Sequence, residues 1–231
     1  TECYLSQLAP FGVKANLVAP ILVNRKLMGL LIAHQCSAPR AWTELEIDLM
    51  RKVAVQLGYA LDQAYLLEQQ QATAKKARLL NEITTQFRNS YNPEEVFDLL
   101  VEETREAIKA DRVIIYQFNQ NWEGKVVAES VDSKWPVILG KQLGDPCFAN
   151  NFVKPYFRGR VSSVDNFQES GHAECYAEML EPWGVKANIV APIIAETKLH
   201  GLLIIHQCSS PRKWSESDIN FTKQLAIQVG L

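Results

Sequence analysis

The chain repeats itself. Residues 1–59 align with residues 173–231 without a gap, at a constant offset of 175 − 3 = 172, and about half of the aligned positions are identical. Glu2-Cys3-Tyr4 returns as Glu174-Cys175-Tyr176, and Gly12-Val13-Lys14-Ala15-Asn16 as Gly184-Val185-Lys186-Ala187-Asn188. His34-Gln35-Cys36-Ser37 returns as His206-Gln207-Cys208-Ser209, and Pro39-Arg40 with Trp42 as Pro211-Arg212 with Trp214. Two stretches this similar must build the same supersecondary unit, which constrains the fold more than any local propensity does. No third copy follows, so a solenoid is excluded. The expected division is the C-terminal half of a first unit over 1–67, a helical linker over 68–78, and a fuller second unit over 79–231.

Each copy reads as helix, strand, turn, strand, helix. A short helix over Ala173–Leu180 is stopped by Pro182 and Gly184. The apolar runs Asn188–Ile194 and Lys198–His206, parted by Glu196-Thr197, form an antiparallel hairpin in a buried sheet. Ser215 with Asp218, and Thr43 with Glu46, read as capping boxes that open a helix. From Thr43 to Asn92 there is no proline and one glycine, Gly58, so one continuous helix is expected, roughly 70 Å long at 1.5 Å per residue. Its polar middle, Glu68–Lys76, suits a solvent-bridging link, and two such helices could pair into a homodimer. Asn92-Pro93-Glu94-Glu95 starts another helix, to about Lys109. Arg112–Phe118, Lys125–Val131 and Val161–Val164 read as strands, with loop over Trp135–Gly144. Helices against an antiparallel sheet make an α+β domain.

Composition narrows the function. The formal net charge is −2 and 22% of residues are charged, which argues against nucleic acid or an anionic membrane as a partner. No apolar run approaches the roughly 18 residues of a membrane span, and no secretory segment opens the chain. Five cysteines in such a chain point to a reducing cytoplasm. Cys147 and Cys175 lie 175 − 147 = 28 residues apart, without the short paired spacings of a structural zinc site. They read as two separate thiols, each beside an aromatic residue. Cys36 and Cys208, at strand ends, read as buried structural thiols. No Walker loop, nucleophile–base–acid set, or kinase or cyclase motif is present, so an enzyme is not expected.

Asp145-Pro146-Cys147-Phe148, followed by Cys175-Tyr176, resembles the Asp-Xaa-Cys-Phe, two-cysteine subgroup of cyanobacteriochromes, the bilin-binding GAF domains of the phytochrome superfamily. The resemblance extends over Asp111-Arg112-Val113, Trp122-Glu123-Gly124-Lys125-Val126, Gly159-Arg160-Val161, Val185-Lys186-Ala187-Asn188 and Gly201–Cys208. One residue departs from it: Tyr176 stands where the family usually has His. The resemblance implies a GAF fold, with one partial and one nearly complete unit joined by the long helix.

It also implies a linear tetrapyrrole, phycocyanobilin or its isomer phycoviolobilin, held by a thioether to Cys175; Cys3 is the counterpart in the first unit. By residue type alone, Cys175 reads as an ordinary small helix residue. Cys147 would add reversibly to the pigment and shift its absorption to the blue or violet. Asp145 would pair with the charge of the protonated pyrroles, or else caps the turn ahead of Pro146. Arg158, Arg160 and Lys186 are candidate partners for the propionates, and each is also an ordinary surface cation. His206 and Tyr176 are candidate ring contacts; His206 is equally a satisfied core histidine, and a phenol cannot exchange protons near neutrality as imidazole can. Output would pass through the long helix to a kinase, cyclase or chemotaxis-type domain. The competing reading is a pigment-free GAF module for dimerisation or another small ligand. The Asn-Lys-Xaa-Phe-Asp-Glu signature of cyclic-nucleotide GAF domains is not found.

Overall fold

The computed structural model describes residues 8–89, 93–119, 122–143, 153–169 and 179–230. It divides into two compact units, Thr1–Ala72 and Thr73–Leu231.

Unit 1 holds a hairpin, β1 (Ala15–Val23) and β2 (Lys26–Gln35), and the first part of helix α1 (Glu44–Asn89). The hairpin turns on Asn24 and Arg25, both left-handed, as a two-residue turn matched to strand twist requires. Thr43 and Glu46 form the expected capping box: Glu46 Oε2 accepts from the Thr43 N–H at 2.9 Å, and the Glu46 N–H donates to Thr43 Oγ1 at 3.3 Å. With no breaker in its sequence, α1 runs unbroken for 46 residues.

Unit 2 adds α2 (Pro93–Ile108), β3 (Arg112–Phe118), β4 (Gly124–Val131), β5 (Gln142–Leu143), α3 (Val153–Phe157), β6 (Ser162–Val164), β7 (Ala187–Ala195), β8 (Lys198–Gln207) and α4 (Glu216–Val229). Its strands form one antiparallel sheet in the order β5-β4-β3-β8-β7-β6. The fold class is therefore α+β, as expected. β5 falls inside the stretch read as loop; two residues pairing with Gly124 and Lys125 are too few to leave a period in the sequence.

Side chains alternate across the sheet, giving it two faces. On one, Val113, Ile115, Ile189, Leu203 and Ile205 pack against Leu79 and Ile83 of α1, Leu100 and Val101 of α2, and Phe221 and Leu225 of α4. On the other, Ile114, Tyr116, Val190 and Leu202 pack with Ile138 and with Tyr156 of α3.

Two polar joints fasten the helical layer. Lys109 turns left-handed to end α2, and Arg212 donates to the last carbonyls, Ile108 O at 2.8 Å and Lys109 O at 3.1 Å, where a cation also suits the helix dipole. At the start of α4, Ser215 and Asp218 complete the capping box, and Asp218 Oδ1 accepts from Lys76 Nζ of α1 at 2.8 Å. Burial alone would raise Asp218, but hydrogen bonds from Lys76 and Ser215 hold its carboxyl below the ordinary value.

Candidate pigment site

The second face of the unit 2 sheet carries a polar row. Register places Arg112, His206 and Asn188 side by side on β3, β8 and β7, and all three are buried. Apolar and aromatic residues continue this face: Ile114, Tyr116, Ile204 and Val190, with Phe118 edge-on to both Tyr116 and Trp122. Such a wall suits a flat, largely apolar ring system, and the row supplies polar groups at its edge.

Arg112 is the anchor of the row. It is fully buried, and its Nε donates to Glu129 Oε1 at 3.1 Å in an ion pair almost closed to water. Its other nitrogens donate to Pro136 O at 2.7 Å and Trp183 O at 3.4 Å, and one reaches Cys208 Sγ at 3.8 Å. Glu129 Oε2 in turn accepts from the N–H groups of Ile138 and Leu139, at 2.8 and 2.6 Å. One charged pair thus joins the sheet, the 132–141 loop and the 3-10 turn Glu181–Trp183. Sequence reasoning quoted Arg112 only within a motif, because an arginine with no water is rare and its acceptors come from distant loops.

His206 sits in the row with only 2% of its surface exposed. Burial first, and the Arg112 charge second, push its pKa down to about 3, so the imidazole is neutral near pH 7. Its Nδ1 has no hydrogen-bond partner among the described residues. An unsatisfied buried nitrogen in a folded protein asks for a partner, a water or a ligand group.

The other proposed site residues divide. Arg158 and Arg160 follow α3 and are exposed, with Arg160 N donating to Pro155 O at 3.1 Å. Lys186 is exposed at the start of β7, where its N–H donates to Gln207 O and its carbonyl accepts from Phe167 N. None of these three joins the buried row. Asp145, Cys147, Cys175, Tyr176 and Cys3 lie outside the described residues. Of the elements flanking their segments in unit 2, β5 continues the edge of the sheet, α3 packs on the polar-row side, and Phe167 and Met179 pack with Cys208 beyond β8.

Cys208 is buried as expected, and burial raises its thiol to about 11, leaving it unreactive. Cys36 is exposed, which corrects the expectation of a second buried thiol: β3 covers the end of β8, and no described strand covers the end of β2. Among the described residues, no cluster of His, Cys, Asp and Glu could hold a metal, and no helix is long and apolar enough to cross a membrane.

Comparison with known proteins agrees with this geometry. The GAF domain model matches residues 1–61 and 92–231. A putative methyl-accepting chemotaxis protein of Synechocystis is 41% identical over 219 residues, covering 95% of this chain, which spans 22% of that protein. Among solved structures, the blue-light absorbing form of the Thermosynechococcus elongatus PixJ GAF domain is 38% identical at a TM-score of 0.58, covering 63% of this chain and 85% of its own. A phycocyanobilin-bound GAF domain from a cyanobacterial phytochrome is 27% identical at a TM-score of 0.61, covering 67% and 91%. By its family match and these relatives, the chain belongs to the GAF domain family, with strong likeness to the cyanobacteriochrome and phytochrome branch.

Proposed function

We propose that unit 2 is a light-sensing module that binds a bilin, phycocyanobilin or phycoviolobilin, on the polar-row face of its sheet. The observation that carries this reading is His206: buried, neutral, and with Nδ1 lacking a partner among the described residues, on the face that Tyr116 and Phe118 continue. When bound, the bilin supplies visible absorption and a double bond that isomerises in light.

The chain's own residues do the rest. Cys175 would hold the pigment by a thioether, its thiol adding across a carbon–carbon double bond of the side chain with the proton going to the neighbouring carbon, so no oxidant would be required. Cys147 supplies a second, reversible thiol, bonded or free according to a balance of a few kcal/mol. Asp145 offers a carboxylate to the protonated pyrroles. His206 offers a neutral ring nitrogen, and Arg158, Arg160 and Lys186 offer cations to the propionates. Tyr176 would contact the ring, where a phenol cannot exchange protons near neutrality as imidazole can. Helix α1 carries the change onward to a chemotaxis-, kinase- or cyclase-type output domain, and pairing of two α1 helices would make a homodimer.

The test is expression in a bilin-producing host. The protein should be coloured, should photoconvert from a blue- or violet-absorbing dark state, and should fluoresce with zinc on a denaturing gel. Cys175→Ala should remove the zinc fluorescence. Cys147→Ser should keep the pigment and lose the short-wavelength band. A colourless protein from that host would leave the pigment-free GAF reading in its place.

A further inference from the structure

Lys76 stands where helix α1 first packs into unit 2. Residues 63–75 of α1 are all exposed, and Lys76 is the first after them to be partly buried. It heads the stripe that seats the helix: Leu79 and Ile83 follow at 4% and 0% exposure, with Leu80 packed beside them. Lysine is rarely placed so far out of water without a partner, and this one has a set of them. Its Nζ donates to Asp218 Oδ1 at 2.8 Å and to Ser217 Oγ at 3.1 Å, and lies 5.8 Å from the centre of the Phe221 ring. The two charged side chains are only 13% and 11% exposed. Lys75, by contrast, meets Glu106 of α2 at 3.5 Å in a pair that is 49% and 53% exposed, and such pairs contribute little.

The apolar stripe alone fixes the seat of α1 weakly. Sliding the helix by one turn, about 5.4 Å, brings Leu80 to the place of Lys76 and Ile83 to that of Leu79. Thr84, whose hydroxyl already donates to Leu80 O at 2.7 Å, comes to the place of Leu80. Phe87 comes to that of Ile83, a larger residue that makes the slid seating the minor one. What the slid helix lacks is the cation. Leu80 then faces Asp218, the carboxylate that also caps α4 by accepting from the Ser215 N–H at 3.3 Å. One polar pair in an apolar seam selects a single register in this way, at some expense of stability.

We propose that the Lys76–Asp218 contact is a register latch. It selects between two seatings of α1 on unit 2, one helical turn apart, and a pull along α1 acts on unit 2 by releasing it. One-turn shifts of a packed helix are an established form of two-state switching. Release reaches α4 directly, because the carboxylate that loses Lys76 belongs to the capping box of that helix. By the repeat, α4 is the counterpart of the start of α1, so the latch joins the helix that enters unit 2 to the counterpart of the one that leaves unit 1. The latch lies on the helical side of the sheet, and the inference is independent of pigment binding.

The test uses the full chain without pigment. Lys76→Met should stay folded, because Asp218 keeps the Ser215 N–H and has Arg212 at 3.7 Å. Its urea midpoint should remain close to that of the wild type. Methyl relaxation dispersion at Leu79 and Ile83 should report a minor seating raised by about tenfold or more, and the Asp218 and Ile219 amides should exchange faster by a similar factor. Lys75→Met, the same change of charge one residue away, should alter none of these, and Lys76→Arg should restore the latch. The decisive variant is Lys76→Leu with Leu80→Lys, which offers the cation only to the slid helix and should move the Leu79 and Ile83 signals to the shifts of the minor seating. Should Lys76→Met unfold, Asp218→Asn, which keeps a capping oxygen, carries the same expectations. Flat dispersion, equal effects from Lys75→Met, or a lowered midpoint with a single seating would overturn the inference and leave the pair as a simple brace. So would an exchanged variant that keeps the wild-type signals or fails to fold.

Discussion

Replacing Arg112 with Met leaves Glu129 as a buried carboxylate without its cation. The pair is almost closed to water, with side chains 0% and 2% exposed, so solvent cannot take over the lost contact. Removing one partner of such a pair costs about 3–5 kcal/mol, most of it the penalty of the charge left behind. The Pro136 and Trp183 carbonyls lose a donor as well, but Glu129 keeps two backbone N–H groups, so about 4 kcal/mol is the expected total. Removing both charges separates the causes. Arg112→Met with Glu129→Leu has no buried charge and instead leaves the buried Ile138 N–H short of an acceptor, at about 1–3 kcal/mol, while the N–H of exposed Leu139 turns to water. The double variant should therefore lose no more than the single one and far less than the sum of the two single variants. Urea unfolding followed by tryptophan fluorescence, in a Trp42→Phe background so that unit 2 alone reports, measures all of this. An Arg112→Met cost below about 1 kcal/mol, or additive single effects, would show that the pair is not what holds the row together.

Further outcomes follow from other residues. Because folding lowers the His206 pKa from 6.5 to about 3, the unfolded chain binds a proton that the folded one refuses; stability is full above about pH 6.5 and falls at up to about 1.4 kcal/mol per unit as pH drops toward 3. His206→Leu should flatten that dependence between pH 6.5 and 4.5, measured by urea midpoints, and an unchanged slope would mean the imidazole is not buried neutral. Gly201→Ala must part β3 from β8 and should cost at least about 3 kcal/mol, against less than about 0.5 kcal/mol for Gly29→Ala; equal costs would contradict the packing. Thr197, β-branched and at φ 67°, should gain about 1 kcal/mol on replacement by Gly, read as a Tm rise of a few degrees; a lower Tm would mean that the turn is not strained.

How far the sequence showed this structure depends on how local each cause is. Helix α1 was legible because its evidence is local: no proline, one glycine, and a capping box at Thr43. The hairpins were legible from the repeat, including the two-residue turns. The role of Asp111 was not, since its partners Gln207, Cys208 and Ser209 lie 96 to 98 residues away and meet it only when β3 and β8 pair. His34 and His206 show the limit plainly. They stand in nearly the same nine-residue stretch, yet one is exposed and the other buried, so burial here comes from β3 and β4 and not from neighbouring residues. Arg158, Arg160 and Lys186 were singled out by charge, and charge alone does not say which arginine leaves water. Arg112 did.

The central seam of the unit 2 sheet joins its first long strand to its last. Ile114 of β3 faces Ile204 of β8 across 204 − 114 = 90 residues of chain. During synthesis, β3 and β4 emerge and can form their hairpin early, but their apolar edge must wait for nearly the whole unit before β8 arrives. Folding is then limited by the meeting of two prebuilt hairpins, a high contact-order step that places the unit among slow folders. Residues at the seam, Gly201 first among them, should control the refolding rate, while the turn at Glu196-Thr197 should act mainly on unfolding. On the ribosome, the half-made sheet holds an unpaired apolar edge for the time it takes to translate that span, and the chain must be kept from pairing that edge with a stranger.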